Sequence, residues 1–358
     1  MITREKTRPV QVGGLTIGGG APVVIQSMTN TKTSDVSSTL KQIRELKEAG
    51  CELVRVAVRD EEAVAALSAI CRESPLPVIA DIHFNYRLAL AAMDAGAAKI
   101  RINPGNIGGK DRLAQIFERA GEKNIPLRIG VNAGSLEKKL REKYGGVSAE
   151  ALVESALKHI RLAEDSSFRE IVVSLKASSV PLTVAAYRLM AEVVDYPLHL
   201  GITEAGSEFS GTVYSAVGIG ALLLDGLGDT IRVSLTASPE TEIRVAKEIL
   251  AAAGVRHFGP RVISCPTCGR TGVNLQSMAK EVEKRVAGIR EPLTLAVMGC
   301  EVNGPGEAGD ADLGIACGKN AGLIFCRGKI LKKVEQERLV DEFMQALEKL
   351  LAGKDDER

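Results

Sequence analysis

At 358 residues the chain is long for one compact domain and sufficient for two, and 45% hydrophobic with 25% charged residues is globular composition. A formal net charge of +1 excludes a global field that would draw in nucleic acid or an acidic membrane, so any anion site has to be built locally. With no Trp and 3% aromatics, the core has to be Val, Ile, Leu and Ala. The opening MITREKTRPV carries no signal-like apolar stretch, and no run reaches the ~18 apolar residues of a membrane span. The expectation is a soluble, cytoplasmic protein. Seven cysteines, three of them in two short motifs, suit a reducing compartment and a metal better than a disulfide framework.

From residue 20 to about 254 one unit recurs: a short β-branched apolar run, then a helical pattern. The runs are 22–28, 52–58, 75–83, 98–103, 126–132, 170–176, 197–203 and 229–235. Between them lie amphipathic stretches such as STLKQIRELKEAG, with Leu40, Ile43 and Leu46 at helical spacing. Gly50, Gly96, Gly121 and Gly254 follow helical patterns, where a left-handed cap costs Gly least. Asp60 and Ser238-Pro239 are helix starts. Eight such units predict a (β/α)8 TIM barrel over 1–256; an open doubly wound sheet is the competing reading. Past Gly254 the rhythm changes. Residues 257–358 predict a small α+β iron–sulfur domain: a loop-rich stretch, a helix over QSMAKEVEKRVAG and a strand over LTLAVMG. A Gly-rich loop, paired strands LGIACG and GLIFCRG, and a closing helix KKVEQERLVDEFMQALEKLLAG complete it, with a frayed KDDER tail.

Alternation along the runs separates an apolar phase from a phase that turns polar toward the C-terminal end of each strand, where barrel active sites sit. Lys99, Arg101 and Asn103 share that polar phase, as do Arg128, Gly130 and Asn132, and then Ser174 and Lys176, Arg232 and Ser234, Arg55, and Asp81 with His83. Arg55, Arg101, Arg128, Lys176 and Arg232 thus converge from five strands, opposed chiefly by Asp81 and Glu204. Such a set calls for a polyanion, and Arg suits bidentate phosphate contact. Asn103, Asn132, Ser135, Thr203 and Ser234 can add neutral donors. NPGNIGGK (103–110) is Gly-rich but not a Walker A sequence. Of the barrel histidines, His83 is the functional candidate, and His199 is read as structural.

Cys265-Pro-Thr-Cys268 and Cys300 supply three thiolates at spacing suited to zinc or an iron–sulfur cluster. The fourth ligand is open among Glu307, Cys317 and Cys326. Glu307 shares the Gly-rich loop of Cys300, and a carboxylate is harder and more exchangeable than a thiolate. Cys317 and Cys326 fall in apolar strands, Glu301 is expected to point away, and Cys51 and Cys71 read as core. Two other classes compete: a zinc-stabilised barrel enzyme with Lys176 as a Schiff-base residue, and an electron carrier without catalysis.

VIQSMTNT, RVAVRD, ADIHFNYRLAL, KIRINPGNIG, RIGVNAGSL, SLKAS, HLGITEAG, ISCPTCGRT and MGCEVNGPGEA follow in order between residues 24 and 308, within a match that runs from about residue 4 to 330. Together they resemble the 4-hydroxy-3-methylbut-2-enyl diphosphate synthase family of the methylerythritol phosphate pathway, in its compact bacterial form. The resemblance implies a [4Fe–4S] cluster on Cys265, Cys268, Cys300 and Glu307. It implies reductive opening and dehydroxylation of 2-C-methyl-D-erythritol 2,4-cyclodiphosphate, with two electrons from reduced flavodoxin or ferredoxin. Arg55, Arg101, Asn103, Arg128, Asn132, Lys176 and Ser234 would bind the diphosphate. Asp81, His83, Thr203 and Glu204 would lie near the carbon skeleton, with Glu204 the candidate acid. It also implies a homodimer in which one subunit's cluster domain covers the other's barrel, with neither nucleic acid nor membrane as partner.

Overall fold

The computed structural model describes residues 1–300, 306–318 and 320–355, and the chain divides into two compact units, Met1–Arg256 and His257–Arg358. The first unit begins with a hairpin that the repeat pattern passes over: β1 (Val10–Val12) pairs antiparallel with β2 (Leu15–Ile17), Val12 opposite Leu15. Its turn, Gly13-Gly14, has φ values of 54° and 88°, the positive pair that a two-residue hairpin turn needs. A Cβ at Gly13 would also stand 2.5 Å from Pro77. The hairpin buries Val10, Val12 and Ile17 against Val24, Leu53, Ile79 and Val172 and so plugs one end of the barrel with apolar side chains.

That barrel is built from β3 (Val24–Met28), β4 (Leu53–Ala57), β5 (Val78–Ile82), β6 (Lys99–Ile102), β7 (Leu127–Asn132), β8 (Ile171–Lys176), β9 (His199–Leu200) and β10 (Thr230–Ile231). Their order is β8-β7-β6-β5-β4-β3-β10-β9, with every neighbour parallel. A parallel bridge between Val173 and Leu198 brings the two outer strands together, and the Val173 N–H donates to Pro197 O at 2.8 Å. The result is a nearly closed eight-stranded parallel barrel, as the eight sequence units predict, rather than an open sheet. β9 and β10 are shorter than their runs suggest. Beside them the Asp229 carboxylate accepts from Leu198 N–H at 2.7 Å and Thr7 Oγ1 at 2.9 Å, and burial pushes its pKa up to about 6.

Helices α1 (Val36–Ala49), α2 (Glu61–Glu73), α3 (Tyr86–Asp94), α4 (Pro104–Ile107), α5 (Lys110–Lys123), α6 (Lys138–Lys143), α7 (Ala149–Asp165), α8 (Val180–Val193), α9 (Glu208–Leu224) and α10 (Pro239–Ala252) fill the connections. Asp60 and Ser238 accept backbone N–H bonds as N-caps, the latter ahead of Pro239. Gly50, Gly96 and Gly254 carry positive φ at helix ends, whereas Gly121 does not. There α5 runs on to Lys123, and Asn124 (φ 54°) takes the left-handed position that Asn tolerates next best to Gly. Leu40, Ile43 and Leu46 are buried on one face of α1, and the strands' outward residues, among them Val54, Ile100, Ile129 and Leu175, are buried too.

Beyond β7, Glu137 ties the approach of α6 to α7: it accepts from Ser155 Oγ at 2.7 Å and lies 3.2 Å from His159 Nε2. The His159 contact leads in holding this carboxyl down, to about 2, with Ser155 adding to it against partial burial. A depressed carboxyl contributes stability that is complete above its unfolded pKa of about 4.3 and is lost as pH falls through the folded value. Glu137→Gln should therefore be less stable than wild type at neutral pH, with the gap closing between about pH 4.3 and 2. Urea unfolding at stepped pH reads this out; a gap that stays constant through that window would count against the linkage.

The second unit is a five-stranded mixed sheet in the order β11 (Arg261–Ser264), β12 (Thr294–Met298), β13 (Leu313–Cys317), β14 (Ala321–Cys326), β15 (Lys329–Glu335). The first three strands are parallel and the rest antiparallel. Helices α11 (Leu275–Val286) and α12 (Leu339–Asp355) supply Val282, Val286, Phe343 and Leu347 to one core with Leu295, Val297, Ile315 and Ile324. A second core joins Ala296, Met298, Ala316 and Phe325 to Ala308 and Ala311. Lys332–Glu335, read from sequence as the start of the closing helix, is strand. Arg327 and Gly328, with φ of 46° and 76°, form a tight turn that sends the chain back along β14, so the helix begins only at Leu339. It then runs into the tail read as frayed, ending at Asp355; residues 356–358 lie outside the described residues. Among the described residues no helix is long and apolar enough to cross a membrane.

Candidate active site

Strand alternation loads the barrel interior with cations. Arg55, Arg101, Arg128 and Lys176 are buried, and Arg232, just beyond β10, keeps 17% of its side chain exposed. Lys99, one inward position before Arg101, is fully buried as well. Two buried carboxylates face these six. Asp81 Oδ1 accepts from Arg101 Nη1 at 3.0 Å, while Oδ2 lies 3.7 Å from Arg55 Nε and 3.3 Å from His83 Nε2. Burial pushes the Asp81 carboxyl up, but Arg55, His83 and Arg101 together hold it well below the usual carboxylate range. Glu242, in the first turn of α10, sits 3.7 Å from Arg232 Nη2 and accepts from Ser27 Oγ at 3.3 Å and Leu235 N–H at 3.0 Å.

Two carboxylates do not balance six cations, and the donors are correspondingly unsatisfied. Arg101 Nε, Arg128 Nε, Arg232 Nε, Lys99 Nζ, Gln26 Nε2 and His199 Nε2 are buried without a hydrogen-bond partner among the described residues. Burial first, and then neighbouring Arg charges, pull the proton affinities of Arg128, Lys176 and His199 well below their ordinary ranges. Buried polar groups in folded proteins are nearly always paired, and an anion is the kind of group that could satisfy this set.

Room for the long cations comes from glycine. A Cβ at Gly130 would stand 3.0 Å from Arg101 Nε and 3.2 Å from Ser174 Oγ, and one at Gly201 would stand 2.5 Å from Lys176 Nζ. Around the mouth, Asn103 is buried with its Nδ2 donating to Ser135 Oγ at 2.7 Å, while Asn132, Thr203 and Ser234 are half-buried. His83 is exposed and lies 3.2 Å from Arg101 Nη1. Glu204 is exposed and has φ 55°, a left-handed backbone that a non-glycine adopts at a cost. NPGNIGGK is not a loop throughout: it forms the single turn α4 with Asn103 at its N-cap.

The structure adds residues that sequence reasoning missed. Met28 Sδ accepts from Arg55 Nη2 at 2.9 Å and Nε at 3.2 Å and lies 3.7 Å from Arg232 Nη1, so a thioether separates two guanidiniums. Gln26 Oε1 lies 3.5 Å from Arg128 Nη1. Both share the inward phase of VIQSM, which was the available signal. His199 is fully buried, with Nδ1 2.7 Å from Thr230 Oγ1.

In the second unit, Cys265 directly follows β11 and Cys300 closely follows β12, so both lie at the carboxyl ends of adjacent parallel strands. Cys265 Sγ accepts from Gly299 N–H at 3.2 Å, and Cys268 is exposed in the turn beyond, its N–H donating to Thr271 Oγ1 at 3.3 Å. Glu307 is exposed in a turn pinned by buried Ala308 and Ala311. Glu301 and the rest of 301–305 lie outside the described residues. Among the described residues, no three His, Cys, Asp or Glu side chains converge on a point that would hold one metal ion. Cys317 is fully buried in β13 against Met278 Sδ at 3.5 Å; burial, with the Cys265 and Cys300 charges nearby, pushes its thiol up to about 11. Cys326 is half-buried in β14. Cys51 is buried and Cys71 half-buried, and burial raises both thiols to about 12, as suits core positions.

The model of the GcpE TIM-barrel domain matches residues 7–247, and that of the GcpE protein C-terminal domain matches 261–349. The chain belongs to the GcpE family. It is 56% identical over 351 residues to 4-hydroxy-3-methylbut-2-en-1-yl diphosphate synthase (flavodoxin) of Geobacter sulfurreducens, covering 98% of this chain and 99% of the relative. It is 55% identical over 348 residues to the protein of the same description from Caldanaerobacter subterraneus subsp. tengcongensis, covering 97% and 98%. Among solved structures, dihydropteroate synthase from Stenotrophomonas maltophilia covers 70% of this chain with all of its own length, at TM-score 0.52 and 12% identity. That likeness shows a shared barrel fold alone. For this GcpE member the two family matches fall on its two structural units.

Proposed function

We infer that this chain makes 4-hydroxy-3-methylbut-2-en-1-yl diphosphate, the activity its close relatives are named for, in the methylerythritol phosphate route to isoprenoids. The observation that carries the reading into the structure is the barrel interior, where Arg55, Lys99, Arg101, Arg128, Lys176 and Arg232 face, among the described residues, Asp81 and Glu242. A diphosphate supplies the charge this interior lacks. We propose 2-C-methyl-D-erythritol 2,4-cyclodiphosphate as substrate, held by Arg55, Arg101, Arg128 and Lys176 with Asn103, Asn132 and Ser234 as neutral donors. Arg232 adds a fifth cation. These groups stabilise the charge that builds on the diphosphate as its bond to carbon breaks. Asp81 holds Arg101 and His83 in place. His83, Thr203 and Glu204 border the carbon skeleton, and the Glu204 carboxyl gives a proton to the hydroxyl oxygen that leaves as water.

The thiols of Cys265, Cys268 and Cys300, with the Glu307 carboxylate, suit a [4Fe–4S] cluster. These side chains would hold the cluster, and the Gly299 amide already donates to Cys265 Sγ, a contact that would tune it. Such a cluster, when bound, supplies a path for single electrons and an iron that binds oxygen. Reduced flavodoxin, or ferredoxin, is the proposed electron donor, a homodimer the working form, and the cytoplasm its compartment. The test is anaerobic purification: brown protein whose visible absorption bleaches with dithionite, and which converts the cyclic diphosphate when given reduced flavodoxin. Colourless protein with stoichiometric zinc would sink the assignment.

Arg128 offers a sharper test of the anion site. It is buried, with Nε unpartnered, and Lys in its place keeps the charge but loses the two-pronged geometry. Arg128→Lys should lower kcat/KM by on the order of 1–3 kcal/mol in transition-state terms, with visible spectrum and iron content unchanged. Unaltered kcat/KM removes Arg128 from the site.

A further inference from the structure

Below the cations assigned to the diphosphate lies one that the mechanism leaves unused. Lys99 is fully buried at the start of β6, next to the apolar plug, and its Nζ has no hydrogen-bond partner among the described residues. The groups facing it offer no counter-charge. Arg55 comes from β4 and Arg128 from β7, with Lys176 from β8 beyond them. β9 gives His199, whose Nδ1 is taken by Thr230 of β10. Asp81 of β5 is already shared by Arg101, Arg55 and His83, and Glu242 serves Arg232. A buried ammonium with neither partner nor counter-ion among the described residues is strongly disfavoured, so the ligand-free protein favours the amine. Burial, followed by Arg128 and Arg55, holds Lys99 well below the ordinary lysine range.

We propose that Lys99 takes up a proton when the barrel binds its diphosphate, so that ligand and proton enter together. This rests on the anion-site reading above. A diphosphate seated on Arg55 and Arg128 adds negative charge beside the very guanidiniums that disfavour the Lys99 ammonium, and an added opposite charge raises an amine's proton affinity. Lys99-NH2 becomes Lys99-NH3+, and the proton comes from solvent. Lys99 touches no reacting atom; it is a positioning residue that acts through Arg128. By linkage, affinity for the anion falls as pH rises, up to about tenfold per pH unit, between the free and bound pKa values of this lysine.

The probe is inorganic pyrophosphate, titrated calorimetrically into anaerobically purified full-length protein in buffers of different ionisation enthalpy. Wild type should take up about one proton more per pyrophosphate than Lys99→Met, since the ligand's own ionisation is common to both and cancels. Equal uptake with binding retained overturns the inference alone. No binding by wild type overturns the anion site and this inference with it. Should the Met variant not fold, wild type labelled with [13C]lysine gives the same answer. A lysine Cε signal in the amine form should shift to the ammonium form on adding pyrophosphate, and free protein with no amine-form lysine refutes the proposal.

Discussion

Asp81→Asn is expected to destabilise the ligand-free protein by about 3–5 kcal/mol, the range for removing one partner of a buried ion pair. Asp81 meets Arg101 at 3.0 Å and Arg55 at 3.7 Å, and Asn keeps the shape without the charge. Two buried guanidiniums would then face Arg128, Lys176 and Arg232 with, among the described residues, Glu242 to offset them. A polyanion should recover much of the loss, so the difference from wild type should shrink in saturating pyrophosphate. The pH dependence follows in sign. The Asp81 carboxyl is depressed in the fold, so its contribution is complete above an unfolded pKa of about 3.9 and is lost as pH falls toward the folded value. Denaturant melts with and without pyrophosphate measure both effects. A variant as stable as wild type would show that Asp81 does not hold the cation set.

Changes at Glu307 should separate iron retention from turnover. If the proposed cluster site holds, Glu307→Ala leaves three thiols to carry most of the affinity, so iron content should stay near wild type. Glu307→Cys should hold iron at least as well and lose most turnover, because a fourth thiolate does not yield readily to substrate oxygen. Cys268→Ser should lose most of its iron. Cys317→Ala, at a buried position against Met278, should cost stability in the ordinary range of about 0.5–3 kcal/mol and leave iron content alone, as should Cys326→Ala. Iron content and turnover of the five proteins, purified side by side without oxygen, decide the matter. If Cys326→Ala empties the site while Glu307→Ala stays fully active, the fourth ligand is a thiolate.

Much of this was legible because period and phase survive in sequence. Eight β-branched runs mark eight barrel strands, and alternation alone puts Arg55, Arg101, Arg128 and Lys176 inside. What escaped depends on local turns and on three-dimensional neighbours. Gly13-Gly14 is a recognisable hairpin turn, yet strands of three residues carry too little pattern to register beside the longer runs. KKVE has no strand-like alternation: Arg327-Gly328 decides its fate, and pairing with β14 overrides helical propensity. Gly121 gave way to Asn124 because helix ends are set by the last packed turn, here Phe117 and Ala120. The part played by Met28 needed coordinates, since a thioether in an inward phase reads as filler until two guanidiniums are found against it. Lys99 was in phase from the start, but its place beside the apolar plug, with Nζ unpartnered among the described residues, is seen only in three dimensions.

Gly130 and Gly201 carry an evolutionary consequence. Each missing side chain is matched to a long one that occupies its space: Gly130 to Arg101, Gly201 to Lys176. Within each pair the two side chains share one space, so neither member can grow without the other giving way. An alanine at 201 would push on Lys176 and on the Arg232 carbonyl, 2.6 Å from the new Cβ, and a shorter cation at 176 would relieve only the first. The 130–101 pair is more forgiving, because its nearest contacts, at 3.0 to 3.3 Å, are all side-chain atoms. Lineages could therefore cross from Gly-Arg to Ala-Lys at 130 and 101 by paired change, whereas position 201 is closed to every residue larger than glycine.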